Sequence, residues 1–396
     1  YKNIVAGAGN TTEGSKNLVK GSGNLTIGNK NLVNGVANTT AGSRNLVNGI
    51  GNKTTGIKNS VNGIGNKATG AENSVNGLGN KAVGDDNKVA GIGNKAAGDD
   101  NKVAGTDNKV IGDNNKVSGK DNLALGYKNI LKGENNTTTG KSNSVEGTDN
   151  YVAGRANTNI GNSDITNGLY NKVKGNNNIT DGRSNETTGN NNIADGRTNK
   201  ITGDLNIVSG TENKVIGNKA SVYGKNNKVN ATDGTAVGND NEVTGENSSA
   251  FGKGNIAKGN SSAAFGHDNI TSGDNSLAMG KENETTGENS LALGKENKTD
   301  GINSTAVGRD NEAKGERNLA VGEGNKTEEK YSSALGRNNK VKGEDGLAVG
   351  NKNTATGKES TVVGNKNTAK GKYSTALGRN NKVNATDGTA VGNDNE

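Results

Sequence analysis

The chain has 396 residues, of which 27% are apolar and 2% aromatic, and it contains 64 Gly but neither Pro nor Cys. So few large apolar side chains cannot build an ordinary globular core of this size. The net charge of +7 comes from interleaved Lys, Arg, Asp and Glu without a basic block, which indicates a solvated surface and argues against nucleic-acid binding.

Glycine occupies every seventh position from Gly7 to Gly392, except at Ala231, Glu329 and Ala385. Asn stands four residues before most of these glycines. A period of seven is typical of a coiled coil, but a helix here would carry a Gly in nearly every heptad, at about 1 kcal/mol each. The spacing instead predicts one small structural unit that is stacked along the whole chain.

Each heptad predicts one short strand when its Gly is numbered position 7. Position 3 is then Asn, and position 5 is mostly Val, Thr, Ala or Ile. Positions 3, 5 and 7 share one face of an extended strand, so we expect them to point inward, with the Gly at a corner of positive φ. Positions 1 and 2 are often polar or charged and suit a turn. Stacked Asn side chains are expected to form ladders of amide hydrogen bonds along the axis.

Consecutive heptads differ, so the full repeat is 14 residues long. Position 5 begins Val5, Thr12, Val19, Thr26, and from Ser248 onward position 3 largely alternates between Ser and Asn. The sequence therefore predicts an all-β fold, a β-solenoid with two seven-residue strands per 14-residue turn. We expect an Asn-rich heptad array over residues 1–218 and a 14-residue-repeat array over residues 219–396, within one continuous rod.

An apolar column is predicted on the outer surface of residues 219–396. Position 6 should point outward, and in alternate heptads it is apolar. A flat two-strand turn has little interior, so we predict that this column contacts another chain. It comprises Tyr223, Val237, Phe251, Phe265, Met279, Leu293, Val307, Val321, Leu335, Val349, Val363, Leu377 and Val391. Upstream the column fails across Asn167, Asp181, Asp195 and Ser209, where we expect looser association or a different partner surface.

At four stretches the chain resembles the head domain of YadA-like trimeric autotransporter adhesins: Asn275-Ser-Leu-Ala-Met-Gly280, Asn289-Ser-Leu-Ala-Leu-Gly294, Asn303-Ser-Thr-Ala-Val-Gly308 and Tyr373-Ser-Thr-Ala-Leu-Gly378. The resemblance runs from about Lys219 to the end and loosens upstream. It implies a left-handed parallel β-roll, three chains associated side by side, and display on a cell surface for adhesion. It also implies that the apolar position-6 column lies at the trimer interface.

Catalytic and metal-binding sites are not predicted. His267 is the only His and there is no Cys, which excludes the classical Zn, Cys-His and Ser-His-Asp sites within one chain. The pairs Asp85-Asp86 and Asp99-Asp100 fall at turn positions and indicate solvated turns. We therefore predict no enzyme activity and no cofactor. No apolar run is long enough to span a membrane, so no membrane contact by this segment is expected.

Asn-x-Ser/Thr sequons are numerous. Those that use the position-3 Asn are expected to face inward and to be closed to a glycan. The sequons at other, exposed positions are candidates for glycosylation: Asn230, Asn247, Asn260, Asn303 and Asn384.

The sequence is compatible with three functions. The leading prediction is an extracellular, cell-surface fibre or adhesin segment, whose partners are its own copies and host or matrix surface ligands. The alternative is a purely structural filament, sheath or matrix fibril; residues 226–242 recur letter for letter at 380–396, which suits either. A third reading is ice binding, since β-solenoids can present flat Thr arrays. Its Thr column, from Thr12 to Thr54, is expected to face inward and gives way to Ala68.

Overall fold

Residues 2–396 are described in the computed structural model, and all of their regular elements are β-strands. They divide into an N-terminal unit that ends at Arg197 and a C-terminal unit that begins at Thr198. Strands pair in parallel with the strand 14 residues ahead, as Val19 pairs with Val33 in the first unit and Ala236 with Ala250 in the second. Each turn therefore takes two heptads, and the predicted all-β parallel solenoid is confirmed.

Within each unit the odd-numbered heptads form one sheet, here called sheet 1, and the even-numbered heptads form another, sheet 2. In the N-terminal unit the strands of sheet 1 are Ile4–Ala6, Leu18–Ser22, Leu32–Val36, Leu46–Ile50, Ser60–Ile64, Ser74–Leu78, Lys88–Ile92, Lys102–Thr106, Lys116–Lys120, Ile130–Glu134, Ser144–Thr148, Thr158–Asn162, Lys172–Asn176 and Glu186–Thr188. Those of sheet 2 are Thr11–Ser15, Leu25–Asn29, Thr39–Ser43, Lys53–Ile57, Lys67–Ala71, Lys81–Val83, Lys95–Ala97, Lys109–Ile111, Leu123–Tyr127, Thr137–Lys141, Tyr151–Arg155, Ile165–Leu169, Ile179–Arg183 and Ile193–Arg197.

In the C-terminal unit the strands of sheet 1 become shorter, falling to two residues from Lys228 onward. They are Lys200–Thr202, Lys214–Ile216, Lys228–Val229, Glu242–Val243, Ile256–Ala257, Ile270–Thr271, Glu284–Thr285, Lys298–Thr299, Glu312–Ala313, Lys326–Thr327, Lys340–Val341, Thr354–Ala355, Thr368–Ala369 and Lys382–Val383. Sheet 2 keeps five-residue strands: Ile207–Thr211, Ser221–Lys225, Thr235–Asn239, Ser249–Lys253, Ala263–His267, Leu277–Lys281, Leu291–Lys295, Thr305–Arg309, Leu319–Glu323, Ser333–Arg337, Leu347–Asn351, Thr361–Asn365, Thr375–Arg379 and Thr389–Asn393.

The core of each turn is one small side chain from each sheet. The position-5 residues Val33 and Val47 of sheet 1 are fully buried, and so are Thr26 and Thr40 of sheet 2. In the C-terminal unit the sheet 2 residue is mostly Ala, as at Ala278. The predicted inward direction of position 5 is confirmed. The early Thr column therefore lies inside the solenoid, away from the surface.

The position-3 Asn side chains join successive turns, as predicted. Asn31 donates from Nδ2 to the carbonyl oxygen of Gly42 (2.9 Å) and to Oδ1 of Asn17 (3.1 Å). Its own Oδ1 accepts from the backbone N–H of Asn45 (3.0 Å). Where Ser248 replaces Asn in the C-terminal unit, the hydroxyl keeps two of these bonds: Oγ donates to the Gly259 carbonyl (2.6 Å) and accepts from the backbone N–H of Ser262 (3.1 Å). These bonds satisfy buried polar groups at most corners, whereas Nδ2 of the buried Asn318 has no hydrogen-bond partner.

The regular spacing of Gly follows from close stacking of the backbone at the corners. Gly294 has φ +120°, and a Cβ there would overlap the carbonyl oxygen of Gly308 one turn ahead. The three non-Gly residues of the lattice, Ala231, Glu329 and Ala385, all end sheet 1 half-turns of the C-terminal unit and do not have positive φ. At those corners the backbone conformation no longer requires Gly.

Within the N-terminal unit one position-3 residue is not Asn. Asp164 takes the place of a position-3 Asn and is fully buried. Its Oδ1 accepts from the backbone N–H of Asn178 (2.7 Å) and from Asn178 Nδ2 (3.0 Å), whereas Oδ2 has no hydrogen-bond partner. Burial raises the pKa of this carboxyl from 3.8 to about 6, and the two bonds from Asn178 offset only part of that rise.

We expect Asp164→Asn to stabilise the protein above pH 6 and to have little effect at pH 4. The unfolded carboxyl ionises near pH 3.8 and the folded one near pH 6, so the folded state loses stability as pH rises through that window. A shift of this size is worth about 3 kcal/mol of unfolding free energy at neutral pH. Denaturant titrations at pH 4 and pH 8 measure it, with the exposed Asp181→Asn as control; an equal gain at both values would contradict the assignment.

We expect Gly294→Val to destabilise the C-terminal unit by about 3 kcal/mol or more, because Val resists positive φ and its side chain would meet the neighbouring backbone. Thermal unfolding followed by circular dichroism measures the effect. The control is Gly65→Asn: Gly65 has φ +65°, an added Cβ meets no atom within 4 Å, and Asn135 occupies the equivalent position with φ 53°. That variant should unfold like the parent protein.

Candidate self-association surface

The predicted apolar column is a continuous ladder on the outer face of sheet 2 in the C-terminal unit. Val237 pairs with Phe251, Phe251 with Phe265, and Phe265 with Met279, one strand after another. The rings of Phe251 and Phe265 stack with centroids 5.0 Å apart and planes 12° from parallel. The side chains cover one another along the axis, yet Met279 remains 44% exposed. The role of this ladder as an interface between chains stays a prediction.

A second uncharged column runs beside the first, and the sequence interpretation overlooked it. Position 4 of the same strands also points outward, and between residues 235 and 389 it carries only small, hydroxyl or aliphatic side chains: Thr235, Ser249, Ala263, Leu277, Leu291, Thr305, Leu319, Ser333, Leu347, Thr361, Thr375 and Thr389. We name the two columns together the sheet 2 face. The signal was available in the sequence, because both outward positions of each strand lack charge.

Sheet 1 of the same unit is covered by ion pairs. On its strands, Glu312 contacts Lys326 at 3.1 Å. In the turns that follow these strands, Glu344 lies 3.2 Å from both Lys330 and Lys358, and the hydrogen bond from Lys358 is the main cause that lowers the pKa of this carboxyl. Exposed pairs of this kind add little stability. They identify sheet 1 as the face that prefers water, in contrast to the sheet 2 face.

In part of the N-terminal unit the outward apolar side chains of sheet 2 are at position 4 and not at position 6. At Asn167 and Asp181 the position-6 column loses its apolar character, as the sequence indicates. Position 4 of the same strands is then Ile165 and Ile179, which pair with each other, and Ile179 pairs in turn with Ile193. These side chains are 39–43% exposed. An apolar ladder therefore persists on sheet 2 here, two residues earlier in each strand.

The sequons fall into the two predicted classes. The position-3 residues Asn38, Asn52 and Asn283 are buried, which leaves no room for a glycan. The five candidates for glycosylation are all exposed: Asn230, Asn247, Asn260, Asn303 and Asn384. Their glycosylation stays a prediction.

The acidic pairs lie in turns, where their side chains bind backbone. Asp85 accepts from the N–H of Ala71 (2.7 Å), and Asp99 accepts from the N–H of Asp85 (2.8 Å). His267 is half-buried, with Nδ1 2.8 Å from the Asp268 carboxylate. Within residues 2–396 no group of three or more His, Cys, Asp or Glu side chains is placed to hold a metal ion. The same residues include no helix that is long and apolar enough to cross a membrane.

Comparison with known families identifies the C-terminal repeats. The family model for the YadA head domain repeat, which spans two copies, matches residues 230–255, 257–283, 286–311, 342–367 and 369–395. These five segments within residues 230–395 support the predicted YadA-like head repeats. In these YadA head repeats the Ser-x-Ala-apolar-Gly half forms sheet 2 and the polar half forms sheet 1, so the sheet 2 face is built from the apolar half of each repeat.

A different family matches upstream of the YadA head repeats. The family model for the grass antifreeze beta roll covers residues 68–168, within the Asn-rich part of the chain. A comparison with curated proteins gives no match. The two family matches cover separate segments, each within one of the two compact units.

Proposed function

We propose that this chain is a segment of a homotrimeric adhesin, displayed at a cell surface, in which three copies associate through the sheet 2 face. The YadA head repeats support an adhesin-like surface solenoid, since YadA head domains belong to surface-exposed adhesins. In this proposal residues 219–396 form the head array. Residues 1–218 form an Asn-rich array whose outer surface serves another contact.

The observation that carries the proposal is the uncharged sheet 2 face beside the ion-paired sheet 1. Only 27% of the residues are apolar, yet both outward columns of sheet 2 lack charge from Thr235 to Val391. The core of a solenoid turn needs only the inward position-5 residues, so these outward side chains do not serve the fold of one chain. Extended apolar surfaces on soluble proteins are typical of contacts with other chains.

Association side by side fits this surface better than association end to end. The sheet 2 face runs parallel to the solenoid axis, so a contact made through it aligns neighbouring chains laterally. A closed ring of three such contacts buries the face of every copy. A structural filament of chains joined at their ends would leave the face in water. This is the reason to prefer the adhesin over the filament.

The full chain is expected to have the mass of three chains in light scattering, and Phe251→Asp, Phe265→Asp and Met279→Asp together should convert it to single chains. Three carboxylates in adjacent strands would be desolvated at the interface between chains, which costs several kcal/mol of association free energy per charge. Circular dichroism should stay unchanged, because these side chains lie outside the core.

The matched control places Asp on the polar columns of the same turns: Lys258→Asp, Ser272→Asp and Thr286→Asp. This variant should remain trimeric. If the variant with Asp at residues 251, 265 and 279 stays trimeric while folded, the sheet 2 face is not the interface between chains. Large polydisperse species of the parent protein would favour the filament.

Ice binding is the second candidate, favoured by the antifreeze beta roll match at residues 68–168. Within that range Thr137 and Thr139 share the outer face of one sheet 2 strand. Position 4 is instead Leu123 in the preceding sheet 2 strand and Lys in the three before it, at Lys81, Lys95 and Lys109. A row of ammonium groups does not provide the flat Thr array of an ice-binding face. We expect no thermal hysteresis from micromolar protein. A measurable hysteresis would favour ice binding over the adhesin function.

A further inference from the structure

A groove crosses the outer face of sheet 1 in the N-terminal unit, over residues 74–118. It has a volume of about 360 Å³ and runs across four neighbouring strands. The strands align so that Ser74 lies beside Lys88, Lys88 beside Lys102, and Lys102 beside Lys116. These position-4 side chains form one wall of the groove.

The floor of the groove is made of small side chains. In the same register, Asn76 lies beside Ala90, Ala90 beside Ala104, and Ala104 beside Ser118. Ala90 and Ala104 are exposed, so an extended ligand can approach the strand backbone between them. An amide at one end and a hydroxyl at the other add hydrogen-bonding groups to this floor. The shape fits a linear chain laid along the solenoid axis.

The three lysines of the groove have no ion-pair partner in the described part of the chain, although ion pairs form at Lys120 and Lys132 nearby. Adjacent strands are about 4.8 Å apart, so the three ammonium groups lie within about 10 Å along the axis. Like charges directly opposite one another on neighbouring strands repel and destabilise a sheet. A bound polyanion would remove that repulsion, which favours an anionic ligand.

The surroundings of the groove favour a polysaccharide over a nucleic acid. Residues 74–118 contain no aromatic side chain, whereas proteins that bind single-stranded nucleic acid stack its bases on aromatic rings. The turns that precede the lysines carry Asp86 and Asp100, which repel a polymer of high charge density. A polymer with separated carboxylates and many hydroxyls meets both conditions.

We propose that this groove binds a linear, carboxylate-bearing polysaccharide, with Lys88, Lys102 and Lys116 holding its carboxylates and the floor accepting its hydroxyls. The proposal rests on the adhesin function and names the ligand class that such a surface would attach to. The groove and the sheet 2 face use different residues, so ligand binding and self-association can be tested separately.

The test measures binding of polygalacturonate oligosaccharides to the full chain by calorimetry at low and physiological salt. Lys88→Gln, Lys102→Gln and Lys116→Gln together should raise Kd at least about tenfold, the loss expected from removing a few charge-assisted bonds. The matched control is Lys67→Gln, Lys81→Gln and Lys95→Gln, which removes the same charge from the same strand position on sheet 2. It should change Kd by less than about twofold.

Several outcomes would overturn the proposal. Equal losses in both variants would mean general attraction between an anion and a basic surface. If the groove variant binds with unchanged affinity, or the parent protein does not bind the oligosaccharide, the groove is not a binding site. Single-stranded DNA binding as tightly as the oligosaccharide would show a surface for any polyanion. Light scattering on the same samples reports the trimer separately, so failure of the groove and failure of the proposed assembly are distinguishable.

Discussion

The asparagine ladder is the interaction on which the rest of the structure depends. A turn of 14 residues has room for only one small side chain from each sheet, so burial of apolar surface alone gives each turn little stability. The amide of Asn31, bonded to Asn17, Gly42 and Asn45, instead fastens three turns at their corners. Since the ladder satisfies buried backbone groups there, the solenoid can continue without widening.

A fold held from within leaves its outer positions free to vary. Positions 4 and 6 contribute almost nothing to the core, so they can be apolar, basic or acidic over successive turns without disturbing it. The sheet 2 face, the ion pairs of sheet 1 and the lysine groove are three uses of this freedom. In each case the parallel register places residues 14 positions apart side by side, so a residue type that recurs every 14 positions forms a column of like groups. The surfaces of such a protein are therefore built from columns of outward side chains.

Much of the fold could be predicted from the sequence because periodicity alone separates inward from outward positions. The two-strand turn, the buried Val and Thr columns, the amide ladder and the alignment from Tyr223 to Val391 all follow from counting. Residue types could not show that the corners at Ala231, Glu329 and Ala385 have a different backbone conformation. Residue types also could not show that Oδ2 of Asp164 is buried without a hydrogen-bond partner, because burial depends on the folded structure.

The surfaces were less predictable than the core. Position 4 was overlooked because position 6 already gave a clean apolar column, and only the paired strands show both columns side by side. The move of the apolar ladder to Ile165 and Ile179 was missed for the same reason. The lysines of the groove are spread among acidic turn residues in the sequence, so their alignment emerges only when strands 14 residues apart are placed together.

The register of 14 also limits how such a chain can change its length. Residues 226–242 recur at 380–396, a displacement of 154 residues, or eleven whole turns. A gain or loss of whole turns keeps each column on its own sheet. A single inserted heptad would preserve every Gly corner and Asn amide, but it would exchange the two sheets for all residues that follow. Apolar columns would then face the side occupied by ion pairs, so in a fully folded chain the sheet 2 face would be interrupted at the point of insertion.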